Sequence, residues 1–372
     1  MSQVPPRLIT YCSNVHAGES WSAVWAALQQ HIPPIKAALS PDRPFPIGLR
    51  LSCQAADELT PADMAQFANW LAAQGCYVPS LNGFPYGEFH GTRVKEQVYL
   101  PDWRSPERAR YSMRLADILA AWLPAGHMGS ISSVPLGFKH ALPECERPAV
   151  RQQLLDTLRH LHTLHHTLGK EIVLALEPEP GCLLETTDEV CQFFAWLDLP
   201  DALRPYLGVC YDCCHQAVQF ENPAASLAQL QAAGIRIAKV QVSSALHLDM
   251  PTPGQLQRFD EARYLHQVVI QTAEGTLLRF DDLPEALASH PAQAGERWRC
   301  HFHLPIFLRA LDDGMATTQP FIKALLPLLP AELLLEVETY TWDVLPAALR
   351  GEPLTQAIIR ELQWLKEHCD AT

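Results

Sequence analysis

No stretch of the chain approaches the roughly 20 consecutive apolar residues that a membrane-spanning helix requires, so direct insertion into a bilayer is not expected. The N-terminal MSQVPPRLITYC lacks a basic region followed by an apolar core; nothing there marks the protein for export, which points to the cytoplasm. Positive charge is scarce: 28 Lys and Arg stand against 41 Asp and Glu, a formal net charge of −13, and no basic stripe runs along any segment. Affinity for nucleic acid comes largely from clustered cations that displace counterions, so a nucleic-acid partner is disfavoured. Low-complexity runs and internal repeats are missing too. The eleven cysteines make no metal-binding pattern, because they are scattered singly apart from Cys210, Cys213 and Cys214, and the one C-x-x-C has no second pair to join it. In a reducing compartment they read as small buried apolar residues.

What the chain does have is a regular alternation. Its 372 residues are enough for two ordinary domains or one large barrel, so the pattern must decide. Apolar runs at 7–14, 45–52, 76–82, 128–135, 171–178, 206–213, 235–242 and 332–339 read as strands, and amphipathic segments between them open at Ser, Thr, Asp or Asn and close at Gly. Eight strands with intervening helices predict a single (β/α)8 TIM barrel over 1–372. Two connections are longer than a barrel needs. NGFPYGEFHGTRVKEQVYLPDWRSP, after the third strand, reads as a structured loop over the barrel mouth. Residues 249–298 form an insertion within the seventh β-α unit, predicted as a helix, a hairpin turning at Glu274-Gly275 and a second helix.

In a parallel barrel the reactive groups gather where the strands end. The fifth strand ends in LALEPEPG, which places Glu177 and Glu179 on one face, since residues i and i+2 of a strand share a side. The sixth ends in YDCCH, giving Asp212 and His215; the seventh carries Lys239, Gln241 and Ser243 at alternate positions; the eighth presents Glu336 and Glu338. The insertion closes on RCHFHLP, with His301 and His303 on one side of an extended segment, either as ligands or substrate contacts or as part of a packed edge strand. Carboxylates buried together at low effective dielectric repel by several kcal/mol unless something positive lies between them. One divalent cation held by Glu177, Asp212 with His215, Gln241 and Glu338 is the simplest solution; the mixed carboxylate, amide and imidazole set suits Mn2+ first, with Mg2+, Co2+ or Zn2+ as close analogues. Glu179 and Glu336 either support that site or form salt bridges inside the barrel. The HLHTLHH run at 160–166 reads as a solvated helix face.

At these residues the chain resembles the xylose isomerase-like TIM-barrel superfamily of sugar isomerases, epimerases and related enzymes, in which a Glu, the Asp of a D-x-x-H, a His and a Glu on strands five to eight hold one divalent metal. Carried over, these become Glu177, Asp212, Gln241 and Glu338, with His215 beside them. The departure is Gln241 in place of His, an oxygen donor that suits a hard cation better than zinc. More narrowly, N-x-H-x-G-E-S-W at 14–21, NGFPYGEFHG, VKEQVYLPDW, VPLGFK, LALEPEPGCLLET and EVETYTW are similar to the EboE group, metabolite traffic proteins that accompany a membrane prenyltransferase-like protein in bacterial clusters. The resemblance implies an isomerase or epimerase acting on a sugar or similar polar metabolite through proton abstraction and a metal-stabilised enediolate. Glu177 and Glu338 would be the acid and base on opposite faces of the substrate, and His16, Arg50, Asn82, Tyr86, His90 and Lys139 further contacts, with Arg50 or Lys139 either meeting a phosphate or forming a buried ion pair with Glu179 or Glu336. Two other readings compete: a non-catalytic carrier handing a polar precursor to a membrane-protein partner, and a phosphoester hydrolase of the apurinic endonuclease type, which the acidic balance and Gln241 disfavour. A homo-oligomer is compatible with any of them.

Overall fold

A computed structural model describes residues 7–139, 146–249 and 251–370 of the protein. Seven strands follow one another with helices between them: β1 (Ile9–Tyr11), β2 (Phe45–Arg50), β3 (Cys76–Asn82), β4 (Gly129–Ser133), β5 (Ile172–Leu176), β6 (Leu207–Asp212) and β7 (Arg236–Val242). The chain then builds β8 (Ser244–Asp249), β9 (Val268–Gln271), β10 (Leu277–Phe280), β11 (Arg297–Leu304) and β12 (Ala316–Thr317), and returns as β13 (Leu335–Val337). The eight barrel strands are all parallel in the order β1-β13-β7-β6-β5-β4-β3-β2, and a parallel bridge from Cys12 to Gly48 joins the two ends. This is the (β/α)8 barrel that the alternation predicts. Strands such as LGVCYD are buried at every position because helices cover one side and the barrel interior the other, so they read as apolar runs without alternation. The helices start where the sequence offers caps: Thr60 with Asp63 and Thr186 with Glu189 form reciprocal capping boxes, and the helix Pro61–Gln74 stops at Gly75 with φ 62°.

Barrel closure depends on one glycine and one ion pair. A Cβ on Gly48 would lie 2.3 Å from Glu336 Oε2 and 2.7 Å from the Tyr11 carbonyl, so no other residue fits there unless the seam opens. Glu336 itself is fully buried inside the barrel, where Lys239 Nζ donates to its Oε1 at 2.9 Å.

The insertion combines strands with two short helices, Pro253–Gln257 and Leu283–Ser289, the second of them where the sequence predicts one. Among the described residues β10-β9-β11-β8-β12 form a five-stranded antiparallel sheet with its own apolar cluster, including Leu246, Phe259, Trp298 and Phe302. The hairpin does turn at Gly275, with φ 88°, but the segment 260–267, predicted as a helix, is irregular. Glu261 explains this: its carboxylate accepts from the backbone N–H groups of Arg263 and Tyr264, both at 2.8 Å, and contacts His266 Nε2 at 2.9 Å, offering the chain an alternative to helical hydrogen bonds.

The C-terminal helix Leu354–Asp370 is pinned beneath this sheet by Glu361, which is buried and accepts from Ile306 N at 3.0 Å and Thr339 Oγ1 at 2.7 Å. Burial pushes its carboxyl up to about 7 from an ordinary value near 4.5. The folded state therefore favours the protonated acid; this contribution is fully present below pH 4.5 and is lost as pH rises through about 7. Glu361→Gln keeps an acceptor and removes the charge, so at pH 8 the variant is expected to be about 3 kcal/mol more stable than the parent, a gain that vanishes toward pH 4.5. Urea denaturation at the two pH values measures this; identical stabilities at pH 8 would contradict it.

Candidate functional site

Four neighbouring barrel strands deliver three acids and one amide to the C-terminal mouth. Glu177 follows β5 directly, Asp212 ends β6, Gln241 lies on β7 in register with both Asp212 and Glu336, and Glu338 follows β13. One oxygen each from Glu177, Asp212 and Glu338 lies within 4.8 Å of the others, and all three residues are buried. Two oxygens on a common cation at about 2.1 Å can be no more than about 4.3 Å apart, so small side-chain rotations would bring the set into coordination. Neighbours hold these carboxylates in place: Asn14 Nδ2 and Asn82 Nδ2 donate to Glu338 Oε1 at 2.8 and 3.0 Å, and Ser243 Oγ and His215 N donate to Asp212 Oδ1 at 2.7 and 2.9 Å. Gln241 Nε2 reaches Glu336 Oε1 at 3.1 Å and Glu338 Oε1 at 3.3 Å.

That leaves Glu177 Oε2, Asp212 Oδ2 and Gln241 Oε1 buried without any partner. Orphaned acceptors of this kind cost on the order of 1–3 kcal/mol each, more when charged, so their convergence calls for a ligand that accepts electron pairs. The acidities tell the same story. Burial, then Glu338 and Asp212, push Glu177 well above the carboxylate range; burial and then Asp212 raise Glu338 to about 8; burial raises Asp212. Carboxyls whose charged form burial disfavours in this way would ionise around a dication. The residues present fit one.

Beside the carboxylates lie three imidazoles whose tautomers are fixed by their partners. His215 Nδ1 faces the Pro178 carbonyl at 2.9 Å and His303 Nδ1 the Glu338 carbonyl at 2.7 Å, and carbonyls only accept. His301 Nδ1 faces Gln267 Oε1 at 2.6 Å, with the amide oriented by Nε2 donating to the Pro180 carbonyl at 2.9 Å. The proton thus sits on Nδ1 in each ring, and the lone pairs on Nε2 meet: His215 to His301 and His301 to His303 are both 3.2 Å. Burial lowers His215 to about 3 and His303 to about 4, so these rings stay neutral and cannot relieve the contact by sharing a proton. Imidazoles with Nδ1–H anchored on oxygen and Nε2 free are oriented as metal ligands are. Asp212 belongs to both groups, since its carboxylate also lies within ligand reach of His215 and His303. The two histidines of β11 come inward at an irregularity between Cys300 and Leu304; β11 runs between β8 and β9, so the H-x-H is on an interior strand.

The cavity above this floor has a volume of about 510 Å³, counted out to its open mouth. Of the residues singled out in the sequence, Asn82, Glu177, Glu179, His215, His301 and Glu338 line it. Glu179 accepts from Tyr99 Oη at 2.8 Å, and burial raises its carboxyl to about 8. The structure does not bring the other candidates to the cavity wall. Arg50 pairs with Glu19 at 2.8 Å and donates to the carbonyls of Gly18 and Gly87, holding the loop after β3. His16 contacts Tyr11 Oη at 2.9 Å and stacks on His31; Tyr86 packs edge-on against Tyr111; Lys139 is paired with Glu185 and Glu189. His90 packs edge-on against Phe89 and its ring nitrogens find no partner. Glu336 lies below the floor with Lys239. Three residues at the site escape sequence reasoning: Asn14, although it opens the N-x-H-x-G-E-S-W run, and Tyr99 and Gln267, which come from the two long connections.

No protein-family model matches the sequence, and no curated protein does. The backbone, by contrast, is similar over nearly its whole length to several solved structures. A xylose isomerase-like TIM barrel protein from Mycobacterium smegmatis in complex with magnesium matches with a TM-score of 0.53 at 12% identity, over 98% of this chain and 97% of that one. D-psicose 3-epimerase with D-tagatose from Clostridium cellulolyticum H10 gives 0.52 at 10%, over 98% of both chains. The IOLI protein with a bound zinc atom gives 0.51 at 13%, also over 98% of both. At such identities the likeness establishes the fold alone, a (β/α)8 barrel like that of the xylose isomerase-like proteins. Among the described residues no helix is long and apolar enough to cross a membrane.

Proposed function

We propose that the protein is a divalent-metal-dependent isomerase or epimerase of a small polar, sugar-like metabolite. The observation that carries this is the meeting of Glu177, Asp212 and Glu338 at one buried point with two carboxylate oxygens and the Gln241 amide oxygen unpartnered. Glu177, Asp212, Gln241 and Glu338 would hold the ion, with His215 completing the set; Mn2+ suits these donors best, and the magnesium and zinc seen in similar folds are compatible with them. The bound ion supplies positive charge where a substrate oxygen becomes negative. The rest falls to the chain's own groups. Glu177 and Glu338 both line the cavity floor, where a carboxylate beside the substrate carbon can take a proton and return it. Asn14 and Asn82 fix the Glu338 carboxylate, and Glu179, held by Tyr99, is placed to orient a substrate hydroxyl. The similarity to the D-psicose 3-epimerase fold and the motifs shared with the EboE group support a role in such a metabolite-processing pathway, with a membrane protein as partner.

The imidazole trio favours one second reading. A second cation between His215, His301 and His303, sharing Asp212 with the first, would suit hydrolysis of a phosphoester. The two are separated by incubating protein purified without chelator and loaded with Mn2+ in D2O with a panel of ketoses and cyclic polyols. Deuterium incorporation at carbon supports the isomerase; its absence across the panel together with phosphate release from phosphoesters supports the hydrolase and overturns the first reading.

A further inference from the structure

The walls of the cavity differ in character from its floor. Above the carboxylates and imidazoles they are built by the loop after β3, which contributes Phe84, Phe89, Val94 and Val98, and by the insertion and the segment after β13, which contribute Leu265 and Tyr340. Of the polar side chains at that level only the Tyr340 hydroxyl is left to meet a ligand; the others are engaged. Lys95 Nζ is ion-paired with Asp282, Tyr264 Oη donates to the Phe89 carbonyl at 3.0 Å, and Tyr99 Oη donates to Glu179 while accepting from Gln267 Nε2 at 2.9 Å. These same bonds tie the walls together, with the Val94 and Lys95 N–H groups both donating to the Arg263 carbonyl at 2.8 Å. A sugar with hydroxyls along its whole length would have to strip water from each one against Val98, Leu265 and Phe84, with no donor or acceptor in return, a cost of order 1–3 kcal/mol for each unpaired group.

We infer that the substrate is amphipathic: a polar head of hydroxyl and carbonyl groups that meets the Glu177–Asp212–Glu338 floor, joined to an apolar, preferably aromatic, body that lies between the loop after β3 and the insertion. The inference rests on the floor being where substrate reacts, and it deepens that reading by naming the class of molecule. Val98 and Leu265 are half-buried, face the cavity and make none of the hydrogen bonds that hold the floor, so they set the preference without touching the chemistry.

Calorimetry on the Mn2+-loaded protein compares a 2-ketohexose with the same ketohexose carrying a phenyl ether at the far end of its carbon chain. The phenyl ether is expected to bind at least tenfold more tightly, and Leu265→Asp and Val98→Asp to abolish that advantage with metal content unchanged. Equal or tighter binding of the parent sugar, binding of neither probe, or an advantage that survives both substitutions would overturn the inference. Loss of the isomerase reading looks different: no deuterium exchange, with the preference for the phenyl ether intact.

Discussion

Lys239→Met should destabilise the barrel by about 3–5 kcal/mol, the largest loss expected from any single change that leaves the backbone intact. Lys239 and Glu336 are both fully buried, so removing the ammonium strands a carboxylate next to Gly48, where neither water nor a larger side chain fits. Burial pushes the Lys239 pKa down, but nearby acidic groups, Glu336 first among them, more than offset this and the net shift is upward. Lys239→Met with Glu336→Gln should recover most of the loss, because a neutral amide needs no counter-charge. Denaturation of the two variants checks both statements; a single variant as stable as the parent at pH 8 would show that the ion pair contributes nothing. The effect should also reach the mouth, since Glu336 holds Gln241, which in turn contacts Glu338.

Glu177→Gln and Glu338→Gln should each lower deuterium exchange into a substrate by about 10²- to 10⁴-fold, the usual weight of a positioned acid or base. Either amide keeps an oxygen for a cation, so metal content should fall far less than exchange. This separates proton transfer from ligation: exchange and metal lost in parallel would mean that the two residues only bind the ion. Asn82→Ala should act more weakly, because Asn14 still donates to the same oxygen of Glu338.

The parts of this site that the sequence reveals are those with a short period. Glu177 and Glu179, or Glu336 and Glu338, announce a shared face by their spacing of two, and a strand end announces the mouth. The same spacing does not say which of two carboxylates faces upward, and here the pairs differ: Glu179 lines the cavity with Glu177, whereas Glu336 turns down to Lys239. What the sequence hides is brought in over long distances. Gln267 orients His301, and Tyr99 and Asn14 hold Glu179 and Glu338, each through contacts between elements far apart in the chain. Arg50 illustrates the opposite error of emphasis. A cation at a strand end invites a functional role, but its four hydrogen bonds go to Glu19, Gly18 and Gly87, so it is spent on fixing the loop that forms the cavity wall. In the insertion the second expected helix forms at Leu283–Ser289, whereas the first gives way to an irregular segment because one carboxylate, Glu261, takes over the local N–H groups.

Cysteine behaves as its scatter implies. Among the described residues ten free cysteines are found, most of them buried, and Cys145 lies outside those residues. Burial raises Cys210, Cys213 and Cys214 well above the thiol range, so the C-x-x-C is not poised for thiolate chemistry.

In the proposed site three carboxylates and the Gln241 amide, from four strands, would hold one cation, with Asp212 common to both sets of donors. Mn2+ titration of chelator-treated protein and of its Asp212→Ala variant, followed by elemental analysis, tests it most directly. Tight binding of at least one equivalent by the parent and less than about a tenth of that by the variant is expected, with both metal-free proteins folded; equal metal content in the two would contradict the assignment.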